Sequence, residues 1–268
     1  MGNKKKQLEL EKIVYSNKYF KRVTKEWGKS VKHLGELYKA RTPADRGSGI
    51  KYRNDYEYII GKFMDYHFAI ERSIERLKVV MCSYNYSPPK YVMKNYKVST
   101  IDVKQYHFEN FYVRMTVIAE ATNQMINYLY DLKLNKKAVN TKAINKIFIE
   151  GFLNYDPAMK KSLDELNSLI HEFREKRNQV IHYGDFSDED FLYLRTLEMS
   201  GVNISKLNKN IREERYAYWL EGSIFFKMYN AYDDLLYAFK SIFDIYSYRA
   251  YRILIYMKEI APSSEPAK

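Results

Sequence analysis

Between residues 108 and 129 the chain keeps a strict three-four rhythm: Phe108, Phe111, Met115, Ile118, Thr122, Met125 and Leu129. Residues at that spacing share one face of an α-helix, because a turn takes 3.6 residues. The rhythm recurs in Ile60, Phe63, His67, Ile70, Ile74, Leu77 and Met81, and again in Leu163, Leu166, Ile170, Phe173 and Val180. No stretch alternates with the period of two that a strand requires, and there is no internal repeat. Only six prolines and ten glycines interrupt 268 residues. The expected fold class is all-α, a bundle of long antiparallel helices with an additional basic helical N-terminal segment.

Residues 5–40 read as one or two Lys-rich helices, and 41–49, with Pro43, Gly47 and Gly49, as a linker. A long helix is expected from about Asp55 to Cys82, followed by a Tyr-, Pro- and Lys-rich loop to residue 100. A shorter helix follows at about 144–152. Asp156 before Pro157 is a strong helix start, a capping carboxylate ahead of the residue best suited to the first helical position. That helix should run to His182, with Gly184 as its stop. Ser187 is the expected cap of the next helix, and Gly201 its break. A final helical region, about 205–260, has apolar residues on every face, Trp219 and Phe226 included, so it is either central to the core or covered by a partner chain. The expected domains are a basic helical segment and linker at 1–50, a helical domain at 51–260 and a disordered tail at 261–268.

Charge is distributed unevenly. Residues 1–104 carry 23 Lys and Arg against 11 Asp and Glu, whereas residues 105–268 carry 22 of each. The whole surplus of +12 therefore lies in the first two-fifths. Such a footprint fits a polyanion or an acidic partner, or is simply a solvated basic surface. The lone Cys82 excludes a disulfide framework and a cysteine zinc site and fits a reducing compartment. The Lys-rich start does not read as a secretory signal, and Lys6 breaks a myristoylation pattern. No stretch reaches the ~20 apolar residues of a membrane helix. A cytoplasmic protein without membrane partner is expected.

No glycine-rich phosphate loop occurs, and no two histidines have metal-ligand spacing, so neither a metal nor a cofactor is expected. His67, on an apolar stripe, reads as a core histidine. One feature remains. Arg177 occupies the core-facing line of the helix that carries Leu163 to Val180, where a charge needs a partner or a task. His182 follows at the same helix's end. Arginine can hold a phosphate and stabilise transition-state charge, and histidine can move a proton near neutral pH. Together they suffice to cleave RNA through its own 2′-hydroxyl. Asn178, one turn below His182 on the same face, could hydrogen-bond the imidazole or a phosphate oxygen. Arg174 and Lys176 could contact phosphates, and Tyr183 could stack on a base. The other reading pairs Arg177 with a buried carboxylate such as Glu120 and leaves His182 as a helix cap.

Arg177-Asn178 followed by three residues and His182, at a helix end in an all-α chain, resembles the HEPN superfamily (higher eukaryotes and prokaryotes nucleotide-binding). The motif region is 174–184, and the resemblance covers about 105–250. It implies a homodimer in which two Arg–His motifs share a cleft, and a metal-independent endoribonuclease of toxin or anti-phage defence type. Arg177 and His182 would be catalytic and Asn178 supporting, with RNA as substrate and an antitoxin or defence-system protein as further partner. The alternative it allows is an inactive HEPN domain serving as an RNA- or protein-binding dimerisation module. A tyrosine two residues after the histidine marks members silenced by nucleotide transfer, but Gly184 stands there. Five residues of helix also turn about 140°, so Arg177 and His182 do not share a face unless the helix distorts, Arg177 reaches around, or a second chain completes the site.

Overall fold

The computed structural model describes residues 9–40, 55–86, 91, 94–95, 97–150, 156–183, 188–208 and 211–260, and some side chains within these helices, His182 and Tyr183 among them, lie outside the description. The described residues are helical, with no strand among them. Helix α1 is Leu10–Ser16, α2 Lys18–Ala40, α3 Asp55–Tyr84, α4 Thr100–Leu129, α5 Thr141–Glu150, α6 Pro157–Tyr183, α7 Glu189–Met199 and α8 Arg212–Ile260. The all-α expectation holds. Among the described residues no helix is long and apolar enough to cross a membrane.

Several boundaries follow from local chemistry. Helix α4 starts earlier than its apolar rhythm does, at a reciprocal cap: Ser99 Oγ accepts from the Asp102 N–H at 3.1 Å and Asp102 Oδ2 from the Ser99 N–H at 2.9 Å. Asp156 caps α6 as expected, its Oδ1 accepting from the Met159 N–H at 3.0 Å. The cap of α7 is Asp188 and not Ser187, which lies outside the described residues; the Asp188 side chain accepts from the Asp190 N–H. Gly201, at φ +87°, ends α7 with the Val202 N–H on the Leu197 carbonyl and the Gly201 N–H on the Glu198 carbonyl. The last helix begins at Arg212 rather than near 205, after a short 3₁₀ turn at Ile204–Lys206. The expected linker at 41–49 and tail at 261–268 lie outside the described residues.

The expected boundary near residue 50 also falls outside them, and contacts divide the chain differently. One compact unit comprises Met1–Ile70, Glu120–Glu165 and Leu236–Lys268; the other comprises Glu71–Ala119 and Leu166–Leu235. In the first unit Phe20, Phe63, His67, Phe239, Phe243 and Tyr246 form an aromatic core, with Phe20 and His67 ring centres 4.3 Å apart. The N-terminal helices are therefore part of a core rather than an appendage, with Leu10, Ile13, Val14, Phe20 and Val23 buried. In this unit α3 and α8 run antiparallel, since Phe63 meets Tyr246 and His67 meets Phe243. Helix α2 departs from the expected pattern: Asn17, just before it, meets Asp244 and Arg22 meets Tyr251, so α2 runs parallel to α8.

His67 is a core histidine as expected. It is fully buried, its Nδ1 lies 3.0 Å from the Tyr246 hydroxyl, and burial pushes its pKa down to about 3. In the second unit α4 and α7 are antiparallel, joined by Phe108 against Phe191 at 5.3 Å and by Arg195 to Asp102 at 2.8 Å. Lys104 and Glu221 form a largely buried ion pair in the same unit.

Candidate functional site

The candidate motif lies on the C-terminal half of α6, in the second unit. The helix's apolar stripe weakens along its length: Leu163, Leu166 and Ile170 are buried, while Phe173, Arg177 and Val180 are half-buried. Phe173 anchors this half, 6.0 Å from Phe111 and 5.2 Å from Tyr112 between ring centres. Arg177 thus occupies the place where a packing stripe turns into surface, the environment in which a long side chain can bury its stem and present its head.

Arg177 Nη1 donates to Asn178 Oδ1 at 3.1 Å. Because α6 is helical through Tyr183, the backbone does not loosen between Arg177 and His182. Asn178 and position 182 are four residues apart, about 40° around the helix, whereas Arg177 and position 182 are about 140° apart. The hydrogen bond therefore draws the guanidinium round toward the face that carries position 182. The side chains of His182 and Tyr183, and the whole of Gly184 and Asp185, lie outside the described residues. Glu120, the carboxylate named in the alternative reading, is exposed.

The other basic residues of the motif divide. Arg174 is half-buried. Lys176 bonds to Asp188 at 3.2 Å and lies 5.6 Å above the Tyr112 ring, so its charge serves to hold α7 against α6. Asp190 is bound in turn by Lys227 of α8 at 2.9 Å, and that hydrogen bond raises the lysine's pKa. Asp188 and Asp190 are therefore both paired with lysines of their own unit. Burial, then the carboxylates of Asp188, Glu172 and Asp190, push the Tyr112 hydroxyl's pKa up, so it stays protonated.

One turn before Arg177, a cavity of about 440 Å³ opens between α4, α6 and α8, with Phe111, Tyr112 and Phe173 on its apolar side and Glu172, Lys227 and Asp234 among its polar residues. A second cavity, of about 830 Å³, is lined by Tyr218, Trp219, Phe225 and Phe226 with Arg215 and Asn85. It belongs to an aromatic face at the start of α8, where Tyr216, Tyr218, Trp219 and Phe226 are 49–62% exposed. Tyr216 stacks on Trp219 at 5.9 Å and meets Tyr193 of α7 edge-on at 5.0 Å. The all-round apolar pattern of α8 thus separates into a buried stripe through Leu220, Ile224, Met228 and Leu235 and an uncovered aromatic one.

The fold defines an all-helical chain with an Arg-Asn pair at the outer end of a packed helix. Comparison with family models, with curated proteins and with solved structures found no match.

Proposed function

We propose that this chain is a metal-independent endoribonuclease of the HEPN type, acting as a cytoplasmic homodimer in toxin or anti-phage defence. The observation that carries the reading is the Arg177–Asn178 hydrogen bond, which turns a half-buried guanidinium toward the helix face of position 182. In the proposed reaction the 2′-oxygen of RNA attacks the adjacent phosphorus and the 5′-oxygen leaves with a proton. The products are a 2′,3′-cyclic phosphate and a 5′-hydroxyl. His182 moves the proton, and Arg177 holds the phosphate and offsets its added charge. Asn178 positions Arg177.

Dimerisation is supported by the aromatic face of α8, since apolar patches of this kind mark interaction sites. The same face favours a second reading, an inactive HEPN domain that binds RNA, an antitoxin or another defence-system protein. Purified full-length chain incubated with end-labelled single-stranded RNA in EDTA distinguishes the two. The enzyme reading requires shortened products ending in a 2′,3′-cyclic phosphate, whereas RNA retained intact on the protein supports the binding module.

A further inference from the structure

The first unit carries a surface that the cleavage reading does not use. On α2 the residues Lys18, Arg22, Lys25, Lys29 and Lys32 recur at steps of four and three, so they form one stripe, and Lys21 flanks it. All six are exposed, while Phe20 and Val23 on the opposite side are buried. The stripe is about 21 Å long at 1.5 Å per residue. Lys29 is paired with Glu26 at 3.0 Å. Lys21, Lys25 and Lys32, and Arg252 on the neighbouring stretch of α8, have no ion-pair partner among the described residues. Asp244, an acidic group of the same α8 stretch, is already held by Asn17 at 2.8 Å and Lys240 at 3.1 Å.

Tyrosines stand at one end of this stripe. Tyr19 meets Tyr248 edge-on at 5.0 Å and Tyr251 at 5.4 Å, and Tyr248 is 44% exposed. Lys18 lies 4.9 Å above the Tyr19 ring, and Arg22 lies 5.1 Å above Tyr251 and donates to its hydroxyl. These contacts fix the rings and the cations relative to each other. A single-sign row of cations ending in fixed aromatic rings matches a polymer of regularly spaced anions that also carries flat faces. An acidic peptide would use the charges but not the rings. A membrane surface would call for large aliphatic side chains on the same stripe, and it has none.

We infer that the α2 stripe, together with Tyr19, Tyr248, Tyr251 and Arg252, is a binding surface for single-stranded nucleic acid. The inference stands on this surface alone, whether or not Arg177 and His182 cleave RNA.

The test is fluorescence anisotropy of a labelled 20-nucleotide oligouridylate with the full chain across a salt series. Binding should weaken with salt, and K21E/K25E/K32E should lower affinity roughly tenfold or more and reduce the salt slope by about two. Tyr248→Ala should weaken binding about fivefold or more with the salt slope unchanged. These positions are exposed, so the variants should keep the wild-type melting curve. Wild-type affinity in the triple variant would overturn the inference. So would no binding by the wild type at low salt, equal binding of a double-stranded RNA, or tighter binding to phosphatidylserine vesicles or polyglutamate.

Discussion

At the scale of single residues, two polar groups on apolar helix stripes meet opposite fates. His67 is enclosed by Phe20, Phe63 and Phe243 and kept neutral, whereas Arg177 sits half-buried where its stripe reaches the surface. The enclosure of His67 has a consequence for acid stability. Its folded pKa of about 3 lies below the 6.5 of the unfolded chain, so between these values the unfolded state binds one more proton. Stability from this group is therefore full above pH 6.5 and falls as pH drops toward 3, by about 1.4 kcal/mol per pH unit. Urea midpoints at pH 7, 6 and 5 should decline on this account, and His67→Gln, which stays neutral, should flatten the decline. An unchanged slope in His67→Gln would place the acid sensitivity elsewhere. Both residues were legible in the sequence as misfits on a stripe. What was not legible is the rotation of Arg177 onto Asn178, because a side-chain torsion leaves no trace in spacing.

At the scale of elements, helix bodies were read from periodicity more securely than helix ends. The body of α4 was evident, but its start at Thr100 depends on the Ser99–Asp102 cap, which lies ahead of the apolar rhythm. Its end repeats the hydrogen-bonding motif of α7 with a different residue. The Leu132 N–H bonds to the Asn127 carbonyl and the Asp131 N–H to that of Tyr128, with Asp131 at φ +48° in the place that Gly201 holds after α7. A glycine announces such a turn in sequence and an aspartate does not. The two ends should respond oppositely. Gly201→Ala should cost about 1 kcal/mol from backbone strain alone, since open space surrounds the added carbon. Asp131→Gly should stabilise by roughly 0.5–1 kcal/mol, by relieving the same strain. Thermal melts of the two variants check both signs, and a destabilised Asp131→Gly would contradict the shared motif. The direction of α2, parallel to α8, was also beyond the sequence, because an apolar stripe fixes which face is buried and not which neighbour buries it.

At the scale of the whole molecule, charge and apolar exposure are separated along the chain. The basic surplus of residues 1–104 includes the uncovered stripe of α2, while the aromatic face at the start of α8 belongs to residues 105–268, which carry no net charge. The large exposed aromatic side chains of that face suit the proposed homodimer. Trp219→Glu and Phe226→Glu should each shift sedimentation-equilibrium mass toward the monomer, and a wild-type dimer that both variants leave intact would exclude this face as the interface. The roles proposed for Arg177 and His182 are tested by the single-turnover rate of RNA cleavage in EDTA by the wild type, Arg177→Ala and His182→Ala. Each substitution should lower the rate by about 10²-fold or more while both variants melt like the wild type. Cleavage that persists at the wild-type rate in both variants would contradict those roles.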